Sequence, residues 1–402
     1  DGRGGEGPRH PLLPRLLAVV FLLDLGLRLL PTKTFCYRGW EALTVNLEFP
    51  KLHFSEGPFK RHKTYSNPRT YGDLSALSNL PDRRHYRNET FVTDEFGYRN
   101  PPGLTRQEPV SAVLLGDSFV AGAGNSDEFV LPAALRKKSG VVAYNAAGDL
   151  PRSLQDILAP VEAAGLREGW VIYEHLERVE KPFKLEGPRE RWKIRFWKKF
   201  FPLLGRENGL WARQIVSHRF AVSPVKILSA KFLKAFSDDR FFPNSYAKST
   251  VQKRLVTGDV FLFQPQEIEK FHTDRSALVA PWKTFFLSLS EELARRNLKL
   301  MVLLVPEKYT VYEPLLGRGT AAGEKPLYLD ALGRELKAGG LPTVNLAPLF
   351  RQKAAELASK KIYLYWPDDT HWTPLGISLA AGEISKILAP DPAGPAARLE
   401  RK

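Results

Sequence analysis

Beyond residue 108 the chain alternates two kinds of pattern. Predominantly apolar runs at Val110–Leu115, Val141–Tyr144, Trp170–Tyr173, Leu298–Val305 and Leu341–Leu346 have the length and composition of strands buried on both faces. Amphipathic stretches separate them, at Val130–Lys138, Leu154–Ala164, Trp282–Arg296 and Leu327–Lys337, and a last helix starts at Pro374. Apolar strands alternating with helices predict an α/β fold: a flavodoxin-like three-layer sandwich around a five-stranded parallel sheet.

Two regions break this rhythm. From 37 to 108 turn signals and aromatics dominate, and Phe91–Pro102 reads as a strand, a turn and an exit into a loop. Between the third and fourth strands more than a hundred residues intervene, a length that usually marks a lid or binding element. From Lys181 to Arg240 this insertion holds 15 Lys or Arg against 5 Asp or Glu, with Trp192, Trp197 and Trp211 interleaved. Arg191, Lys193, Arg195, Lys198 and Lys199 beside aromatic rings suit an anionic sugar polymer or a membrane surface; an extra helical subdomain with a solvated basic face is the competing reading.

At the N-terminal end Arg3, Arg9 and Arg15 precede the apolar Leu16–Leu23, and the segment from Pro11 to Leu30 has roughly the 20 residues a bilayer needs. An uncleaved membrane anchor follows, Asp24 and Arg28 sharing one helix face; an amphipathic helix packed on the soluble domain is the alternative. The expected organisation is a tail and anchor over 1–36, a lead-in over 37–108 and a catalytic domain over 109–390. The insertion occupies 181–280, and a tail 391–402.

The net charge of +15 favours anionic partners. Zinc-finger, homeodomain, RNP and KH patterns are absent from the sequence, so nucleic acid is not expected. The single cysteine, Cys36, excludes an intramolecular disulfide and a cysteine-based zinc site, and its flanks make no lipobox. His10, His53, His62, His85, His175, His218 and His272 show no metal-ligand spacing, and neither a Walker nor a dinucleotide loop is present. No metal or cofactor is therefore expected.

The candidate chemistry lies in two short segments. Gly116-Asp117-Ser118 closes the first predicted strand, where parallel sheets build their sites, and would place Ser118 at a turn whose N–H groups favour a developing oxyanion. Asp368-Asp369-Thr370-His371 precedes the last helix, with Thr373 a credible N-cap and Pro374 a favoured first residue. An aspartate two or three residues before His371 can fix its tautomer, freeing the other ring nitrogen to take the serine proton.

Gly-Asp-Ser-Phe near the first strand and Asp-Thr-His-Trp before the last helix resemble the SGNH (GDSL-like) hydrolase superfamily. More narrowly, the chain resembles the SGNH domains of alginate O-acetyltransferases and related exopolysaccharide-modifying proteins. Pro306-Glu307-Lys308 with Tyr312 is similar to their Pro-x-Lys-x-x-x-Tyr stretch, and Glu177-Arg178 to the ending of their third strand. The resemblance implies Ser118 as nucleophile, His371 as general base and Asp369 as its acid, with Asp368 in reserve. It also implies Gly148 as an oxyanion donor. The third-block Gly-x-x-Asn is missing, so Arg178 stands either near the oxyanion or as a structural ion-pair partner. The implied activity is O-acyl transfer to an extracytoplasmic polysaccharide, with a membrane-bound acyltransferase as donor and an inner-membrane, periplasm-facing location. The alternatives are an esterase or deacetylase using the same residues, and a non-catalytic glycan-binding protein. Some alginate-pathway relatives carry the histidine motif before the serine; the order here matches ordinary esterases and leaves the polymer open.

Overall fold

A computed structural model describes residues 12–27, 57–148, 151–185, 250–317 and 327–388, apart from four single positions, together with Val225. Cys36 and the Arg191–Lys199 stretch lie outside the described residues.

The first element is α1, Leu12–Leu27. It exposes its apolar side chains: Leu16 is 60% exposed, Phe21 65% and Leu22 66%. Its 16 residues lie within the span expected between Pro11 and Leu30, whose two ends are outside the described residues. Among the described residues no helix is long and apolar enough to cross a membrane. The lead-in then forms β1 (Thr64–Thr70), α2 (Asp73–Leu77), β2 (Arg87–Val92) and α3 (Leu104–Gln107). Strands β1 and β2 pair antiparallel, burying Tyr65 and Phe91 against Phe59. The strand expected from Phe91 onward thus begins four residues earlier, and a polar partner containing Pro68 completes it.

The main domain runs β3 (Ala112–Leu115), α4 (Leu131–Ser139), β4 (Ala143–Asn145), α5 (Leu154–Ala163) and β5 (Gly169–Leu176). The later part of the insertion forms β6 (Val251–Arg254), β7 (Val260–Phe263) and α6 (Pro265–His272), followed by α7 (Val279–Ala294) and β8 (Leu298–Val305). Then follow α8 (Lys308–Tyr312), α9 (Tyr328–Ala338), β9 (Thr343–Asn345), α10 (Ala347–Ala358) and α11 (Pro374–Leu388). Five strands make one sheet in the order β4-β3-β5-β8-β9, and every pairing in it is parallel. That is the expected α/β arrangement. Helix periodicity explains the two outer layers. Trp282, Phe285, Phe286, Leu289 and Leu293 of α7 bury one stripe, as do Ile377, Ala380, Ala381 and Ile384 of α11. The first stripe joins the core on one sheet face with residues of α5 and α9, the second the core on the opposite face with residues of α4 and α10.

In this strand order the chain direction switches between β3 and β5, and the crevice beyond their carboxyl ends is where such sheets hold ligands. The turn after β3 carries Ser118, and the loop before α11 carries His371. A β6–β7 hairpin, not foreseen in the insertion, packs beneath that loop, with Leu262 N–H donating to Pro367 O at 2.9 Å.

Candidate active site

The nucleophile turn is shaped by a carboxylate that hides in a central strand. Glu174 of β5 accepts the Asp117 N–H through Oε2 at 2.8 Å. A Cβ on Gly116 would lie 2.0 Å from that same oxygen, so only glycine lets the strand and the turn approach so closely. Burial, reinforced by the charge of Asp117, holds the Glu174 carboxyl well above the usual carboxylate range. Asp117 folds back to accept the Phe119 N–H at 3.0 Å. Among the described residues, no acceptor faces the Ser118 N–H.

His371 is held from both sides. Its Nδ1 lies 2.6 Å from Asp369 Oδ1 and its Nε2 2.7 Å from Ser118 Oγ. An ionised carboxylate can only accept, so Nδ1 carries the proton and Nε2 is left to accept the serine hydroxyl. The ring packs on Phe119 with centroids 5.0 Å apart. Asp368 points elsewhere: its Oδ2 accepts the N–H groups of Gly72 at 2.7 Å and His85 at 2.8 Å. Of the two aspartates, the structure brings Asp369 to the imidazole.

The helix that follows starts as its sequence suggests, with Thr373 Oγ accepting the Gly376 N–H at 3.4 Å. Lys308 fixes the loop ahead of it. This lysine is fully buried, and its Nζ donates to the carbonyls of Leu262 (2.8 Å), Trp366 (2.8 Å), Pro367 (2.9 Å) and Asp369 (3.0 Å). Burial draws its ammonium down to about 8, against the pull of Glu267 and the loop aspartates. Tyr312 Oη accepts the Leu364 N–H at 2.8 Å, and Tyr365 Oη donates to Pro306 O at 2.6 Å. The Pro-x-Lys-x-x-x-Tyr stretch is thus the mount of the histidine loop.

Two further expected residues are engaged differently. Gly148 sits just past β4, but its N–H donates to Gly116 O at 2.9 Å. Arg178 pairs with Asp117 at 3.2 Å and with Glu307 at 3.3 Å, and lies over the Phe119 ring. Of its two readings, the ion-pair partner is the one the geometry displays. Behind it a buried acid cluster continues: Glu177 accepts the Glu307 N–H at 2.8 Å, and burial pushes its carboxyl up to about 7.

Sequence reasoning missed Asp73 and Arg87, both in the lead-in. Arg87 donates to Asp368 Oδ1 at 3.2 Å and also pairs with Asp369. Asp73, in the first turn of α2, accepts the Thr370 N–H at 2.8 Å and its hydroxyl at 2.6 Å. Donor atoms of Asp73, Asp369 and His371 lie within 4.8 Å of one another, a grouping their spacing in the sequence hides. Arg87 and Thr370 already donate to those carboxylates and Nε2 faces Ser118, so protons serve this donor set and it is a poor fit to a cation.

Comparison with known proteins adds to the geometry. Residues 256–401 match the family described as SGNH hydrolase-like domain, acetyltransferase AlgX. Curated relatives that bear the name probable alginate O-acetylase AlgJ are similar to part of the chain. The Pseudomonas aeruginosa protein is 29% identical over 185 residues, 46% of this chain and 43% of its own. Those of Pseudomonas fluorescens (26% over 183 residues, 45% and 43%) and Pseudomonas syringae pv. tomato (25% over 189, 45% and 44%) are similar. The chain therefore spans less than half the length of these relatives. The family match and the named relatives are what the chain is similar to, and the five-stranded parallel sheet with helices on both faces is compatible with an SGNH-like domain.

Proposed function

We propose that this chain is a serine-dependent O-acetyltransferase acting on an extracytoplasmic polysaccharide. The observation that carries the reading is the unbroken line of contacts Asp369–His371–Ser118, at 2.6 and 2.7 Å, on an SGNH-like sheet. Relatives named as alginate O-acetylases support acetyl as the group transferred and a polysaccharide as acceptor.

In this reading His371 Nε2 takes the hydroxyl proton of Ser118 as Oγ attacks the acyl carbonyl of the donor. The tetrahedral oxyanion receives the Ser118 N–H, and the Gly148 N–H would join only after leaving Gly116 O. Collapse expels the donor's leaving group with the proton from His371, leaving acetyl on Ser118. A sugar hydroxyl then gives its proton to Nε2 and attacks the acyl-enzyme, and breakdown returns that proton to Oγ. Asp369 keeps the ring in the required tautomer throughout. Arg178 supports Asp117, and through it the turn that presents Ser118.

The donor we propose is a membrane-bound acyltransferase, with the chain held at the inner membrane and its sheet domain facing the periplasm. The exposed leucine and phenylalanine side chains of α1 favour such an association.

The test uses the full chain in detergent with 4-nitrophenyl acetate and acidic oligosaccharides, followed by mass spectrometry of protein and sugar. Acetyl on the sugar, dependent on Ser118, is the expected result. Acetate released with no acetylated sugar would instead assign an esterase, and no acetylation of Ser118 under any donor would refute the mechanism.

A further inference from the structure

The lead-in supplies a second acid to the histidine, and its placement is unusual for a residue some three hundred positions away. Asp73 Oδ2 lies 3.9 Å from His371 Nδ1. The Thr370 hydroxyl, which donates to that same Oδ2 at 2.6 Å, stands 3.2 Å from Nδ1. With the Thr370 N–H on Oδ1, the Asp73 carboxylate is locked in this orientation by both of its oxygens. Its side chain is 13% exposed, so its field is only partly screened by solvent.

The charges around Nδ1 show why one carboxylate would not suffice. The loop itself contributes Asp368 and Asp369, β2 contributes Arg87, and the head of α8 contributes Lys308. Asp117 and Arg178, on the nucleophile side, are paired with each other. Arg87 sits directly on Asp369 and bridges to Asp368, while the Lys308 ammonium feels Asp368, Asp369 and Asp73 together. Glu267, the further acid beside Lys308, is raised to about 8 by burial, so below that range the two loop carboxylates are matched by two buried cations. An imidazolium formed beside that balanced set gains little from it, and Asp73 is the group that turns the local balance negative.

We propose that Asp73 is a positioning residue of this site: the second of two carboxylates that hold the His371 ring and balance its charge when it takes up the serine proton. The inference rests on the acyl-transfer reading of Ser118 and His371. Thr370 is the intermediary, its hydroxyl tying Asp73 to the ring edge while Asp369 takes the ring proton. The lead-in is then part of the catalytic centre.

The test compares full-length wild type with Asp73→Asn, which keeps the shape and the acceptor for the Thr370 N–H but removes the charge. Two readouts are taken. The titration midpoint of His371 is followed by NMR of carbon-13-labelled histidines, with His371→Asn assigning the signal. The rate of Ser118 labelling by a fluorophosphonate is followed by intact mass. The expected result is a midpoint lower by about one pH unit and labelling slower by about tenfold, with unchanged thermal stability. A folded Asp73→Asn whose midpoint and labelling rate stay within twofold of wild type overturns the proposal. Should that variant not fold, Thr370→Val, which keeps the backbone bond to Asp73, decides by the same two readouts: a lower midpoint with slower labelling supports the proposal, and wild-type values overturn it. A wild-type chain that never labels at Ser118 would refute the acyl-transfer reading, and the NMR titration would still decide whether Asp73 acts on the His371 ring.

Discussion

Replacing Lys308 with Met should damage both activity and stability, and the structure sets the scale of each. Methionine matches the lysine stem in length and would be at home between the Phe261 and Phe263 rings, which lie 5.0 and 5.3 Å from Nζ. What is lost is the ammonium, whose three protons serve four buried carbonyls. Hydrogen bonds to a charged donor are worth about 1.5–3 kcal/mol each, so three represent about 5–9 kcal/mol. These figures are already net of desolvation, and the four bonds share one ammonium, so the lower end of the range applies. The net destabilisation is then about 5 kcal/mol, measurable by guanidinium unfolding followed through tryptophan fluorescence. Three of the four carbonyls belong to Trp366, Pro367 and Asp369, directly ahead of His371. Releasing them displaces the imidazole from Ser118, and misplacement of about 1 Å costs about a hundredfold in rate. Acylation of Ser118 by 4-nitrophenyl acetate reads that loss. A folded Lys308→Met protein acylated at the wild-type rate would refute the claim that this lysine mounts the histidine loop.

Other perturbations bear on the same centre. Ser118→Ala and His371→Ala should each lower acetyl transfer by at least about a thousandfold with melting temperature nearly unchanged, because such residues act as a unit. Gly116→Ala drives a methyl into Glu174; a destabilisation of about 1–3 kcal/mol is expected in chemical unfolding, together with slower acylation. Glu177 has a folded-state value of about 7, raised above its ordinary 4.5 by burial. Its contribution is therefore fully present below about pH 4.5 and is lost as pH rises through 7, a span worth about 3 kcal/mol. Stability of the wild type should fall across this window, and Glu177→Gln should flatten the fall in unfolding curves collected from pH 4.5 to 8.

The parallel sheet is readable because its strands are buried on both faces and must be apolar throughout, so β3 and β8 stand out as runs. The serine and histidine are readable from where those runs end. The third strand extends past its apolar run: Glu174 and His175 continue it, and charged residues in a central strand carry no strand signal. An acid directly after an apolar run is nevertheless a clue, since it is tolerated in a central strand only with a fixed partner, here the Asp117 N–H. Asp73 and Arg87 offer no clue at all. They sit in polar, turn-rich sequence, and only the contacts of α2 and the start of β2 with the histidine loop give them a role. Lys308 lies within a recognised stretch, but its four carbonyl partners are separated from it by up to 61 positions and are invisible to spacing.

The grip of the lead-in on the histidine loop also bears on the order of folding. Gly72 and Asp368 are joined across 296 positions, and Arg87 and Asp369 across 282. Contacts so distant in sequence cost the most loop entropy and tend to form late. During synthesis a chain can close its central strands while its histidine is still unplaced. Such an intermediate holds Ser118 without a base, so under the proposed acyl transfer it would not consume acyl donors before the whole domain has assembled.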